Sequence, residues 1–206
     1  MLFRSRGRRQ RGWHSPAGGN IYFSLGWQFE EGALRLSALP LVAAVCLCHA
    51  LTRAGIGGHG IKWPNDILLD GKKLAGILVE VQSTGTGPAQ AVIGVGINVA
   101  MPGAGFGEVE EVIDRPWTDL AAQLPENGDV PGRNELVILL LDALLPALDR
   151  FGDTGFEAFR ADWERLDLLI GRRIELETGG SRRSATARGV DLDGGLLLED
   201  EQGKIR

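Results

Sequence analysis

From Asn20 the chain alternates: Ile21, Phe23, Leu25, Trp27 and Phe29 are apolar, and Tyr22, Ser24, Gly26 and Gln28 stand between them. A period of two predicts a strand with one buried face. The period then changes. Leu39, Ala43, Cys46, Leu47, Ala50 and Leu51 recur at helical spacing, with Ser37 as the expected N-cap, Pro40 tolerated in the first turn and Gly55 as the stop. So apolar a helix belongs behind a sheet. Next come a short strand from Ile61 and a polar run, Lys62-Trp63-Pro64-Asn65-Asp66. Two apolar runs, 67–69 and 74–81, then flank Asp70-Gly71, a pair that reverses a strand at little steric cost and so predicts a hairpin. Residues 85–88 read as a loop and 91–98 as a further apolar strand.

Beyond residue 101 the pattern loosens. Residues 102–116 carry Gly103, Gly105 and Gly107 followed by acidic residues, a segment long enough to cover a site. A short helix is expected near 117–123, a longer one over 134–151 capped by Asn134 and kinked at Pro146, and another over 156–167 with Phe159 and Trp163 on one face. From Gly171 short strands follow at 174–177, 185–191 and 196–199, with Asp193-Gly194-Gly195 as a turn. The whole reads as α+β: a mixed β-sheet backed by helices over 1–170, and a small, incomplete all-β appendage over 171–206.

Composition narrows the function classes. A net charge of −5 over 206 residues gives no bulk attraction to nucleic acid or membrane. The local exception is Arg4, Arg6, Arg8, Arg9 and Arg11 in an otherwise unpatterned 1–19 loop, either a solvated tail or an anion site. Residues 36–52 are uncharged, but the stretch is short for a span, contains Ser37, Pro40 and His49, and lies between strands; no membrane segment or signal peptide is expected, and the cytoplasm is the expected compartment. Cys46 and Cys48 point about 200° apart on a helix, so they read as small core residues of a reducing compartment. His49 reads as a helix-face histidine.

Gly94-Val95-Gly96 suggests a dinucleotide loop, but Val99 stands where the third glycine belongs and Pro102 prevents a following helix. The two glycines instead permit close approach of a flat ligand or of a neighbouring strand. Lys73, at the mouth of an apolar strand, must reach either solvent or an anion. Asp66 reads as a turn cap or as a proton acceptor.

The stretch KWPND-x6-KLAGILVE closely resembles the central segment of biotin protein ligases, and RGRRQRGWHSPAGGNIYFS at 6–24 and VIGVGINVAM at 92–101 agree with it. A weaker likeness runs to about Gly171. The resemblance implies a class II synthetase-like catalytic domain with an SH3-like barrel at its C-terminus. It implies ATP and biotin as ligands, Mg²⁺ arriving on ATP, and a biotin carboxyl carrier domain of acetyl-CoA carboxylase or a similar carboxylase as partner, with no nucleic acid partner and a homodimer left open. The segment at 102–116 corresponds to a loop that folds over the nucleotide.

By that resemblance Lys73, Arg8 and Asp66 are the catalytic residues. Arg6, Gly7, Arg8, Trp13, Lys62, Asn65, Lys73, Gly76, Gly94, Gly96 and Asn98 are the cofactor-binding positions, and no residue is assigned as a metal ligand. The implied chemistry forms biotinyl-5′-adenylate and then passes biotin to a carrier lysine. The chain starts inside the arginine loop, with Ser5 at the usual first glycine, and stops at Arg206, so the expectation is a form truncated at both ends, poor in activity and without DNA-binding helices. The alternatives are an inactive module that only binds a ligand or partner, and a related lipoate or octanoate transferase, which the WPND turn and RGRR loop disfavour.

Overall fold

The computed structural model describes residues 5–6, 12–13, 17–30, 36–83, 87–101, 116–123, 130–178 and 181–206. Near the N-terminus β1 (Ser5–Arg6) pairs antiparallel with β2 (Gly12–Trp13), so part of the expected 1–19 loop is laddered.

The central sheet has the order β3-β7-β6-β5-β4, from β3 (Asn20–Phe29), β4 (His59–Lys62), β5 (Asp66–Leu69), β6 (Lys72–Ser83) and β7 (Ala89–Asn98). Its ladders are antiparallel, and parallel partners enter as single bridges, Ile61 to Asp167 and Lys73 to Trp117. The hairpin stands as expected, with Asp70 and Gly71 at φ 50° and 75°. Between Ile67 and Leu68 the β5–β6 register shifts by a bulge.

Helix α1 (Leu39–Arg53) packs on β4, β5 and β6 and is covered by α2 (Arg133–Thr154) and α3 (Arg160–Leu166). It is buried around almost its whole circumference, which is why it lacks a polar stripe. Pro40 sits in its first turn, but its N-cap is Ala38; the Ser37 hydroxyl instead donates to the Asp193 carbonyl at 2.7 Å. Asn134 likewise lies inside α2, whose N-cap is Gly132. The expected helix near 117 shrinks to a 3-10 turn at Ala121–Gln123 because 116–118 is drawn alongside Lys73 as backbone partner. A 3-10 turn, Phe156–Phe159, leads into α3, and Phe29, Phe151 and Phe159 form an aromatic seam from sheet to helices, with centroids 6.0 and 6.5 Å apart.

A second sheet, β10-β9-β8, is built from β8 (Arg173–Thr178), β9 (Ser181–Val190) and β10 (Leu196–Glu199). The Asp191–Gly195 turn between β9 and β10 lies against the start of α1. A Cβ on Gly194 would stand 3.0 Å from Ala38 Cα and 3.1 Å from Leu41 Cδ1. Cys46 and Cys48 are buried, and burial pushes both thiols up to about 12. They are core residues, as their spacing indicated. Among the described residues no helix is long and apolar enough to cross a membrane.

Candidate functional site

Register separates the two faces of the central sheet. Ile21, Ile97, Ala75, Ile67 and Ile61 are cross-strand partners in one row, and every one of them is buried under the helices. Directly paired residues point the same way and chain neighbours point opposite ways. The adjacent row, Tyr22, Gly96, Gly76, Asp66 and Lys62, therefore faces away from the helices. Its centre is two glycines side by side. Next to it runs Ser24, Gly94 and Leu78. The result is a strip of bare backbone with Tyr22 on one rim and Asp66 on the other, roughly 14 Å apart at three strand spacings.

The bulge brings a cation to that rim. Beyond the Ile67–Ala75 pair, Leu68 is opposite Lys73 and not Leu74. The shift sends Leu74 into the core, fully buried, and turns Lys73 towards Asp66. Lys73 Nζ lies 2.6 Å from Asp66 Oδ1, with the side chains only 26% and 17% exposed. Each is thus the other's counter-ion, which replaces the choice between a solvated and an anion-facing lysine with a held pair.

The backbone around this pair is secured on all sides. Lys73 N–H donates to Pro116 O at 2.9 Å, and Thr118 N–H donates to Lys73 O at 3.0 Å. Buried Asn98 donates from Nδ2 to both Lys73 O at 3.3 Å and Thr118 O at 3.0 Å. Asn65 clamps its turn to β6: Nδ2 donates to Ile77 O at 2.5 Å and its carbonyl accepts from Ile77 N–H at 2.9 Å. Trp63, joined to Pro64 by a cis peptide, donates from Nε1 to Gly194 O at 2.9 Å. Asn65 and Asn98, expected as ligand contacts, thus use their amide nitrogens to hold backbone.

Three residues went unnoticed in the sequence. Asn20 donates to Tyr22 Oη at 2.9 Å, next to the strip. Thr118 meets Asn98. Asp119 is almost fully buried and accepts from Met101 N–H and Ala122 N–H, both at 2.8 Å. Its hint was a carboxylate between Thr118 and Leu120 in a stretch read as a short helix. Of the arginine loop, Arg6 and Trp13 lie on the β1–β2 ladder, and Gly7 and Arg8 lie outside the described residues. Lys62 is exposed at the far end of the row.

A cavity of about 390 Å³ opens elsewhere, between the end of β3 and the end of α2, but Glu30, Asp149 and Asp153 line it and would repel an anion. No group of three metal-ligating side chains occurs among the described residues.

The sequence is 35% identical over 209 residues to a biotin--[acetyl-CoA-carboxylase] ligase of Paracoccus denitrificans, spanning 98% of this chain and 82% of that protein. The chain belongs to the biotin/lipoate A/B protein ligase family. The family's sequence profile matches residues 5–98, which hold the arginine loop and every strand of the glycine row. The bifunctional ligase/repressor BirA of Escherichia coli is 39% identical over 197 residues, 95% of this chain and 59% of that protein, so the chain spans about three fifths of this relative's length. Among solved structures, a biotin protein ligase of Aquifex aeolicus in complex with biotin and ATP superposes with a TM-score of 0.77 at 28% identity, covering 98% of this chain and 80% of that one. The likeness extends through the second sheet, so the α+β reading with a small C-terminal sheet stands.

Proposed function

We propose that this chain carries out the ATP-dependent attachment of biotin to a lysine of a biotin carboxyl carrier domain. The observation that carries the reading is the Gly76/Gly96 strip with the Lys73–Asp66 pair on its rim, in a chain similar to ligases whose structures hold biotin and ATP. A floor without side chains accepts a flat ring system, and a held cation beside it suits two anions that must meet. In the first step a biotin carboxylate oxygen attacks the α-phosphorus of ATP and pyrophosphate leaves, giving biotinyl-5′-adenylate. In the second, a neutral carrier lysine attacks the acyl carbon, loses a proton and expels AMP.

Two unit charges brought to contact repel by on the order of 4 kcal/mol at a surface-like dielectric. Lys73 offsets this at the reacting oxygens, fixed by Asp66 and by three backbone contacts so that little reorganisation is needed during transfer. Arg6, Gly7 and Arg8 supply further donors to phosphate, Arg8 as a bidentate fork. Asp66 holds Lys73 and orients the incoming amine. Mg²⁺ enters with the triphosphate, and no residue of this chain is assigned to it. We place the division between catalytic and C-terminal units at residue 171 and the protein in the cytoplasm.

The test is transfer of labelled biotin to a purified carrier domain in the presence of ATP, with lipoate offered in parallel. Biotin transfer supports the reading. Lipoate transfer, or binding of biotin with neither pyrophosphate release nor transfer, replaces it with one of the two alternatives.

A further inference from the structure

The chain leaving α3 and the turn returning from β9 both meet the strand and turn that deliver Asp66. Leu168 N–H donates to Ile61 O at 2.9 Å, and Asp167 bridges Ile61 along the outer edge of β4. Gly60 has no room for a side chain there, because a Cβ would lie 2.6 Å from Leu168 Cδ2 and 2.9 Å from Leu166 O. Two residues past Ile61, Trp63 Nε1 is bound by Gly194 O. Asn65 then ties the turn to β6. Residues 60–65 are thus held by the C-terminal chain at two points and by the sheet at a third, and Asp66 is next in line.

The gripping turn is shaped from within. Asp191 Oδ1 accepts from Asp193 N–H at 3.0 Å and Gly195 N–H at 2.7 Å, while Asp191 N–H and O close on Gly195 O and Gly194 N–H. That leaves two carbonyls facing out, Asp193 O to Ser37 and Gly194 O to Trp63. Gly194, at φ 81°, is the point of closest approach. With a side chain it would strike Ala38 and Leu41 and lift its carbonyl off the indole.

Resting on the ligase reading above, we infer that the Asp191–Gly195 turn is a positioning element of the site, with Gly194 as its contact. Through the Trp63 indole it fixes the 62–66 turn, and so the place at which Asp66 meets Lys73. The C-terminal sheet then acts on the rate of the chemistry while touching neither reacting group.

The Ile77 amide, bonded to Asn65 O, reports on the turn through hydrogen exchange in the full chain. Trp63→Phe keeps a ring and removes the donor, Gly194→Ala displaces the acceptor, and Ser37→Ala removes only the neighbouring docking bond. We expect the first two to speed Ile77 exchange about fivefold, the worth of one hydrogen bond, with Ile93 in β7 unchanged and Ser37→Ala near wild type. Carrier biotinylation should lose about tenfold in kcat, with KM for biotin little altered, in both variants. The double variant should be no slower than the slower single one, as two cuts of one link require.

Wild-type Ile77 exchange in Trp63→Phe overturns the inference whether or not the chain is active, and it decides the matter if Gly194→Ala does not fold. Faster exchange with unchanged kcat, or additive losses, also overturns it by leaving a merely structural tie. A wild-type chain that binds no biotin and modifies no carrier sinks the ligase reading separately, since the exchange measurement still says whether the turn is held.

Discussion

The two faces of the central sheet are built from the same strands, one residue out of step. On the inner face Ile21, Ile97, Ala75, Ile67 and Ile61 form a row of bulk under the helices; on the outer face Tyr22, Gly96, Gly76, Asp66 and Lys62 form a row with no side chain at its centre. Stability comes from filling one row, and the proposed function draws on the emptiness of the other. Because the side-chain period is two, both are set by a single register, and a slip of one residue would destroy both.

If the faces are separate in this way, substitutions should be separable too. The largest effect is expected from Ile93→Ala on the inner face, a fully buried side chain whose loss should cost about 2–5 kcal/mol in chemical denaturation while biotin affinity of the folded protein holds. An equal fall in affinity would mean that the faces are coupled. Lys73→Ala should do the reverse: a rate loss of about 10²–10³-fold in pyrophosphate release, the usual cost of one electrostatic stabiliser, with little change in melting temperature. Unchanged turnover in an otherwise active protein would return Lys73 to the role of a solvated partner of Asp66.

Gly96→Val comes next. A branched side chain suits a strand and should leave folding nearly untouched, yet it fills the strip, and biotin affinity by titration calorimetry should fall about 10²-fold. The smallest effect concerns pH. Burial holds the Asp167 carboxyl above its ordinary 3.8, so the folded chain keeps a proton that the unfolded chain has released. Its contribution to stability is therefore greatest below the unfolded value and is lost as pH rises through the folded one. Relative to Asp167→Asn, the wild-type melting temperature should drop across that window; parallel melting curves would show that Asp167 does not titrate with folding.

Much of this was legible in the chain. The alternation from Asn20, the Asp70-Gly71 turn, the apolar helix and the C-terminal strands all rest on local periodicity, and local periodicity survives folding. What could not be read depends on partners distant in sequence. Ser37 has the chemistry of a helix cap, yet its hydroxyl meets Asp193, 156 residues away. The bulge leaves no trace in KKLAGILVE, because a strand cannot show how many residues its partner will set against it. The candidate site could be proposed from the sequence as types of residue but not as an arrangement. Lys73 and Asp66 were named singly, and their pairing, like the use of Asn65 and Asn98 to hold backbone, appears only once the register is known.

Asp119 has one further consequence. Its two oxygens fasten Met101 and Ala122, and Pro116 is fastened to Lys73, so three points of the chain are anchored around Asn98 and Thr118. One buried carboxylate thus works as a buckle between the end of the sheet and the 3-10 turn, and undoing it should loosen both together.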